Sequence, residues 1–170
     1  PTDFAPSEWP RVVATDYDDS SWRLLNVPHD FVIEGTFNES EQTTGGDGNH
    51  GYLVSSNAQK HAQTHSHDIV SRMIEPVGVG WYRKIFQLSK PSASSTLTFD
   101  GVFRNSTIWL NGIELGHHNS GYTSFHLAAG HALRSGSNTL VVRADATRKE
   151  GWWMEGGGIY RHVWLTQTSS

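Results

Sequence analysis

The sequence has no cysteine, which excludes a disulfide framework, a thiolate-ligated zinc and thiol chemistry. That absence does not fix the compartment, because secreted proteins also do without disulfides. No run of about 18 apolar residues occurs, so no membrane-spanning helix is expected and the chain reads as soluble, with secretion or a periplasmic home both compatible. An excess of either charge is missing as well. There are 13 Lys and Arg against 17 Asp and Glu, a net charge of −4, which gives no electrostatic footprint for nucleic acid or anionic lipid. The chain opens Pro1-Thr2-Asp3-Phe4, with neither a basic nor an apolar leader region. Any signal peptide is therefore expected to be gone already, or the sequence to begin inside a longer protein. Helical periodicity is almost absent too.

What is present is aromatic. Seven Trp and 17 Gly in 170 residues suggest a β domain with aromatic surfaces and many tight turns. Carbohydrate-binding domains share this composition, because an indole face packs against the C–H face of a sugar ring. Most tryptophans nevertheless belong to cores. The length suits one domain spanning residues 1–170, able to bury a core without staples.

Alternation marks the strands. Tyr82, Phe86 and Leu88 recur on one face of residues 81–88, and Thr96-Leu97-Thr98-Phe99 alternates again. Thr107 to Leu110 runs into Asn111-Gly112 and then Ile113-Glu114-Leu115. Asn-Gly between two such runs predicts a hairpin, since both residues tolerate positive φ in a type I′ turn. Thr139 to Ala144 and His162 to Leu165 are further strands, the latter with Val163 and Leu165 on one face and Trp164 on the other. Residues 22–27 read as an early strand. Short strands and frequent turns predict an all-β, antiparallel sandwich or barrel. A polar, aperiodic stretch at about 55–75 reads as an insertion, mobile or loosely packed.

Four groups of residues carry candidate chemistry. In Gly151-Trp152-Trp153-Met154-Glu155-Gly156-Gly157-Gly158, two adjacent Trp cannot both face a strand's core, so one is expected in a cleft wall or exposed. Glu155 beside those rings suits a sugar-hydroxyl acceptor; a packed glycine-rich corner is the plainer reading. Val27-Pro28-His29-Asp30-Phe31 pairs an imidazole with a carboxylate, either to meet a ligand or as a turn in which Asp30 accepts backbone N–H groups. His61, His65, His67 and Asp68 read as a solvated loop rather than a metal site, because the His61/His65 spacing converges only on a helix. His117-His118 is a weaker metal signal still. No nucleophile elbow occurs.

Taken in order, several motifs resemble one family. They are Val27-Pro28-His29-Asp30-Phe31, Gly78-Val79-Gly80-Trp81-Tyr82-Arg83-Lys84, Phe99-Asp100-Gly101-Val102, Trp109-Leu110-Asn111-Gly112, Leu115-Gly116, Gly121-Tyr122-Thr123-Ser124-Phe125 and Gly156-Gly157-Gly158-Ile159-Tyr160-Arg161. Their order resembles the N-terminal sugar-binding domain of glycoside hydrolase family 2, the β-galactosidase, β-glucuronidase and β-mannosidase group. The resemblance implies a jelly-roll-like antiparallel β-sandwich, galactose-binding-domain-like, followed in the family by an immunoglobulin-like domain and a (β/α)₈ barrel. That barrel carries both glutamates of a retaining mechanism and needs roughly 250 residues, so it is expected to be absent from this chain.

The resemblance therefore implies a non-catalytic domain that shapes the active-site rim and supports the barrel. Its partners are the remaining domains and, weakly, a β-galactoside or related sugar. The matching rim loops carry His29 and Asp30, Trp81, and Trp152, Trp153 and Glu155. Some β-galactosidases place an Asp against galactose and sodium in the last loop. Aligned on Gly158-Ile159-Tyr160-Arg161, no Asp stands there, so no metal and no cofactor is expected. A stand-alone carbohydrate-binding module and a structural or interaction sandwich are the alternatives.

Overall fold

The computed structural model describes residues 3–34, 78–147 and 155–168. Within them seven strands form two antiparallel sheets. The strands are β1 (Val79–Leu88), β2 (Ser95–Phe99), β3 (Ser106–Leu110), β4 (Ile113–His118), β5 (Phe125–Ala128), β6 (Gly136–Asp145) and β7 (Val163–Gln167). One sheet has the order β1-β6-β3-β4 and the other β5-β2-β7. Of the antiparallel sandwich or barrel that the alternating segments predict, the chain forms the sandwich, in the jelly-roll-like form that the family resemblance implies. No helix among the described residues is long and apolar enough to cross a membrane.

Alternation decides what each strand buries. Leu97 and Phe99 of β2, Ile108 and Leu110 of β3, and Val142 and Ala144 of β6 meet between the sheets. Tyr82, Phe86 and Leu88 of β1 pack against them, as do Val163 and Leu165 of β7. Phe99 stacks on Phe125 with ring centroids 4.9 Å apart. Residues of intervening parity face outward, and on the four-stranded sheet these include Trp81, Trp109 and Val141. Trp81 stacks on Trp109 at 5.7 Å, and Trp9 meets both rings edge-on at 6.0 Å.

The N-terminal segment explains that second apolar face. A 3₁₀ turn (Pro6–Glu8) leads into the single turn α1 (Trp9–Val12), which brings Trp9, Val12 and Val13 onto the outer side of the four-stranded sheet. Asp3 closes the arrangement, accepting a hydrogen bond from Trp81 Nε1 at 2.8 Å and pairing with Arg143 at 2.5 Å. Partial burial works against the Asp3 charge, but the hydrogen bonds from Arg143 and Trp81 outweigh it and hold the carboxyl below its ordinary 3.8.

The Asn111-Gly112 hairpin forms as expected, with φ of +53° and +81°. Asn111 also ties the turn down. Its Nδ2 donates to Ala132 O and to Asn138 Oδ1, each at 2.8 Å, while its Oδ1 accepts from the Thr139 N–H at 2.9 Å.

Two expectations about elements change. Residues 22–27 are irregular rather than a strand. Trp22 is drawn back onto Phe4 and Tyr17, at 6.3 and 5.8 Å, and Leu24 is wholly exposed, so the alternation is matched to no sheet face. Strand β5 was not marked by any apolar run; it is four residues long and gains its place by pairing with β2. The stretch at about 55–75, with His61, His65, His67 and Asp68, lies outside the described residues.

Candidate functional site at the loop-bearing end

Strand directions gather several loops at one end of the sandwich. β1, β3, β5 and β7 begin there, and β2, β4 and β6 finish there, as their antiparallel registers require. Residues 27–34, 100–105 and 155–162 therefore meet.

The meeting is held by backbone pairing. Phe103 N–H donates to Gly158 O at 2.8 Å and receives the reverse bond at 2.6 Å. On the other side of the same glycine-rich segment, His29 N–H donates to Ile159 O at 2.7 Å and Phe31 N–H to Gly157 O at 2.9 Å. Glycine is required for this close approach. A Cβ on Gly156 would strike Asp30 Oδ2, and one on Gly157 would lie 2.7 Å from Phe31 Cζ.

Asp30 is the fastener. Its Oδ1 accepts from the N–H groups of Val32 at 2.9 Å, Ile33 at 3.2 Å and Gly157 at 2.9 Å. The first two bonds shape its own turn, and the third crosses to the glycine-rich segment. This is the backbone-satisfying role weighed for Asp30 from sequence. Glu155 immediately precedes Gly156 in that segment and is buried.

His29 sits in a polar cluster that spacing alone does not disclose. Its Nδ1 lies 2.9 Å from the Tyr82 hydroxyl, and its Nε2 lies 2.8 Å from Arg23 Nη2 and 3.1 Å from Glu34 Oε2. Arg23 and Glu34 form an ion pair beside the ring. Either ring proton placement thus finds a partner. Burial pushes the Tyr82 phenol up to about 12; the Ile159 backbone bond opposes this and the nearby Asp30 and Glu34 charges assist it. Hydrogen bonds from Arg23 and then His29 hold the Glu34 carboxyl below its ordinary value.

The structure brings His29, Asp30 and Glu155 to one end. Trp81 is not with them: it leaves the opposite face of β1 from Tyr82 and stands among Phe4, Trp9 and Trp109. Trp152 and Trp153 lie outside the described residues. Sequence reasoning missed Arg23, Glu34 and Tyr82. Only Tyr82 carried a signal, its parity on β1.

Beside this cluster a cavity of about 520 Å³ opens between β1 and β7, with Tyr82, Phe86, Leu97, Val163 and Leu165 among its walls and residues 22–27 at its mouth. Asp19, Arg23, Asn26, Arg83 and Lys84 also line it, so its walls combine an apolar part with polar and charged groups.

A two-sheet antiparallel sandwich with a loop-bearing end defines a galactose-binding-like domain. The family described as glycosyl hydrolase 2 galactose-binding domain-like matches residues 53–160, and the chain belongs to that family. It is 38% identical over 157 residues to a β-galactosidase of Bacteroides ovatus, matching 89% of this chain and 15% of that protein. A β-galactosidase of an Arthrobacter species is 29% identical over 167 residues, with 91% and 15% covered. Among solved structures, a β-glycosidase from Bacteroides vulgatus superposes with a TM-score of 0.70 at 32% identity, covering 97% of this chain and 18% of that one. The chain thus spans about one-seventh of the length of these curated relatives.

Proposed function

We propose that the chain serves as the N-terminal, non-catalytic domain of a family 2 glycoside hydrolase acting on a β-galactoside or related β-glycoside. The observation that carries this reading is the family match over most of the chain, set against relatives about seven times longer. In this reading the loop-bearing end lies beside the barrel that supplies the two carboxyls of hydrolysis. His29, Asp30, Trp152, Trp153 and Glu155 contribute to the substrate-entry rim, and Trp81 braces β1 from its outer face.

The geometry supports a division of labour at that rim. Asp30 holds residues 156–157 against the His29 loop, so the two loops move as one body. Both edges of the buried His29 ring are taken up, Nδ1 by Tyr82 and Nε2 by Arg23 and Glu34, so the exposed Arg23–Glu34 pair is the side that can meet a sugar or a neighbouring domain. Isolated affinity for sugar is expected to be poor, with a dissociation constant of about 1 mM or weaker, because the barrel supplies most of the pocket.

The experiment is kinetic and uses the larger glycosidase carrying this domain. Glu155→Gln and His29→Gln should raise KM several-fold on a β-galactoside while kcat changes less than about twofold, the pattern of lost binding common to ground and transition states. Unchanged KM in both variants would remove the rim role and leave a purely structural domain.

A further inference from the structure

We propose that the outer face of the three-stranded sheet is a carbohydrate-binding platform centred on Trp164, which takes a neutral, β-linked oligosaccharide. This site adjoins the loop-bearing end through Asp100 and His162 but lies on the outer sheet face, and it does not rest on the rim reading.

Trp164 is 53% exposed, on the face of β7 that turns away from the core. Its ring is nevertheless fixed. The indole N–H donates to Asp100 Oδ2 at 2.9 Å, and the His162 ring stacks against it at 5.3 Å with 30° between planes. A surface aromatic tethered in this way loses little freedom when a ligand covers it, which favours binding.

The neighbouring strands extend the platform. Thr98 lies directly opposite Trp164 in the β2–β7 register, and the Thr98 hydroxyl is 2.9 Å from Nδ1 of His126 on β5. Trp164, Thr98 and His126 thus form a row across all three strands, about 10 Å long from two inter-strand spacings. That length accommodates two linked pyranose rings, one stacked on the indole and the next over the hydroxyl and imidazole.

The chemistry of the face selects the ligand class. The outward residues of β2, β5 and β7 are Thr96, Thr98, His126, Ala128, Trp164 and Thr166, with no Lys, Arg or Glu among them. The one carboxylate at the margin, Asp100, is bonded to the indole. The six outward strand positions offer a nucleic acid or acidic glycan no lysine or arginine; Arg161 lies at the margin, 3.5 Å from the Asp100 carbonyl oxygen. A protein partner seeking apolar area would find one aromatic ring among threonines. A neutral sugar, with a flat C–H face and equatorial hydroxyls, matches a ring beside hydroxyl and imidazole groups.

The test is an NMR titration of the 170-residue chain with cellohexaose, β-1,4-xylohexaose and β-1,4-galactan fragments, using maltohexaose as the α-linked control. The Trp164 indole N–H signal, identified by its loss in Trp164→Phe, should shift saturably with at least one β-linked probe, together with the Thr98 and His126 amides. Trp164→Ala should weaken binding by about tenfold or more, the loss of one stacking contact. Thr98→Val should weaken it about threefold with the ring intact, a milder change that serves if the alanine variant folds poorly. Ile113→Ala, on the other sheet, should bind as the wild type.

The proposal is overturned if no β-linked probe moves the Trp164 signal at about 20 mM, some twentyfold above a millimolar constant. It is overturned equally if Trp164→Ala binds unchanged, or if the only change at Trp164 is concentration-dependent self-association, which would assign the face to protein contact. Shifts confined to residues 155–158 would also overturn it, while leaving the rim reading in place.

Discussion

His29 and Tyr82 are 53 positions apart in sequence and are joined by a 2.9 Å hydrogen bond between ring Nδ1 and phenolic oxygen. The bond anchors an irregular loop to the inward face of β1. It also fixes which edge of the imidazole is taken up by Arg23 and Glu34. The phenol is half-buried, held by a backbone bond from Ile159, and surrounded by the charges of Asp30 and Glu34.

An alkaline transition follows from that phenol. Its value in the fold, about 12, lies above the ordinary 10.0, so the fold favours the protonated form. The corresponding stability is complete below pH 10 and is lost as pH rises toward 12. Burial raises the Tyr160 phenol as well, so ultraviolet titration should show more than one late-ionising tyrosine. In Tyr82→Phe the step near 12 should vanish, and stability should fall less steeply above pH 10.

Asp30→Ala should cost about 2–3 kcal/mol in urea unfolding, because three backbone N–H groups lose their acceptor. Asp30→Asn keeps an acceptor oxygen and should cost about half as much. Equal losses in the two variants would mean that the charge, rather than the hydrogen bonds, holds the turn.

Gly158→Ala should be the more damaging change. The residue has φ of +118°, and a Cβ there would strike the Tyr82 hydroxyl and approach the His29 carbonyl oxygen to 3.0 Å. A destabilisation of about 3 kcal/mol or more is expected, with loss of the His29–Tyr82 bond visible as a shifted imidazole signal.

The hairpin separates two effects at Asn111. Asn111→Gly keeps the positive φ accessible but loses three side-chain bonds, and should cost about 1–2 kcal/mol. Asn111→Ala adds the strain of φ +53° and should cost about 1 kcal/mol more. Thermal unfolding of the pair measures the difference.

The parts of the fold that were legible in sequence are those where one face of a strand meets the core. Tyr82, Phe86, Leu97, Phe99, Val163 and Leu165 all lie where their parity places them. Residues 22–27 show the limit: their apolar residues serve Phe4 and Tyr17 rather than a sheet, a tertiary fact without a local signature. The outer aromatic layer was hidden for the same reason, since alternation does not say that Trp9 will cover Trp81 and Trp109. At the candidate site, the Asp30 turn was readable because its bonds to Val32 and Ile33 are local. Tyr82, Arg23 and Glu34 were not, because they reach His29 across the fold. For Trp164, parity gave the exposure; the Asp100 tether and the His162 stack required the structure.

The central claim is that this chain is an accessory domain whose parent does the chemistry elsewhere. A retaining glycosidase needs two carboxyls about 5–5.5 Å apart on a rigid scaffold, flanking the scissile bond. The most direct measurement is hydrolysis of p-nitrophenyl β-D-galactopyranoside and p-nitrophenyl β-D-glucuronide by the purified 170-residue chain, beside the larger glycosidase. No release above the uncatalysed rate from the chain, with turnover by the larger protein, is the predicted result. Turnover by the chain itself, abolished by a single Glu→Gln change within it, would contradict the account.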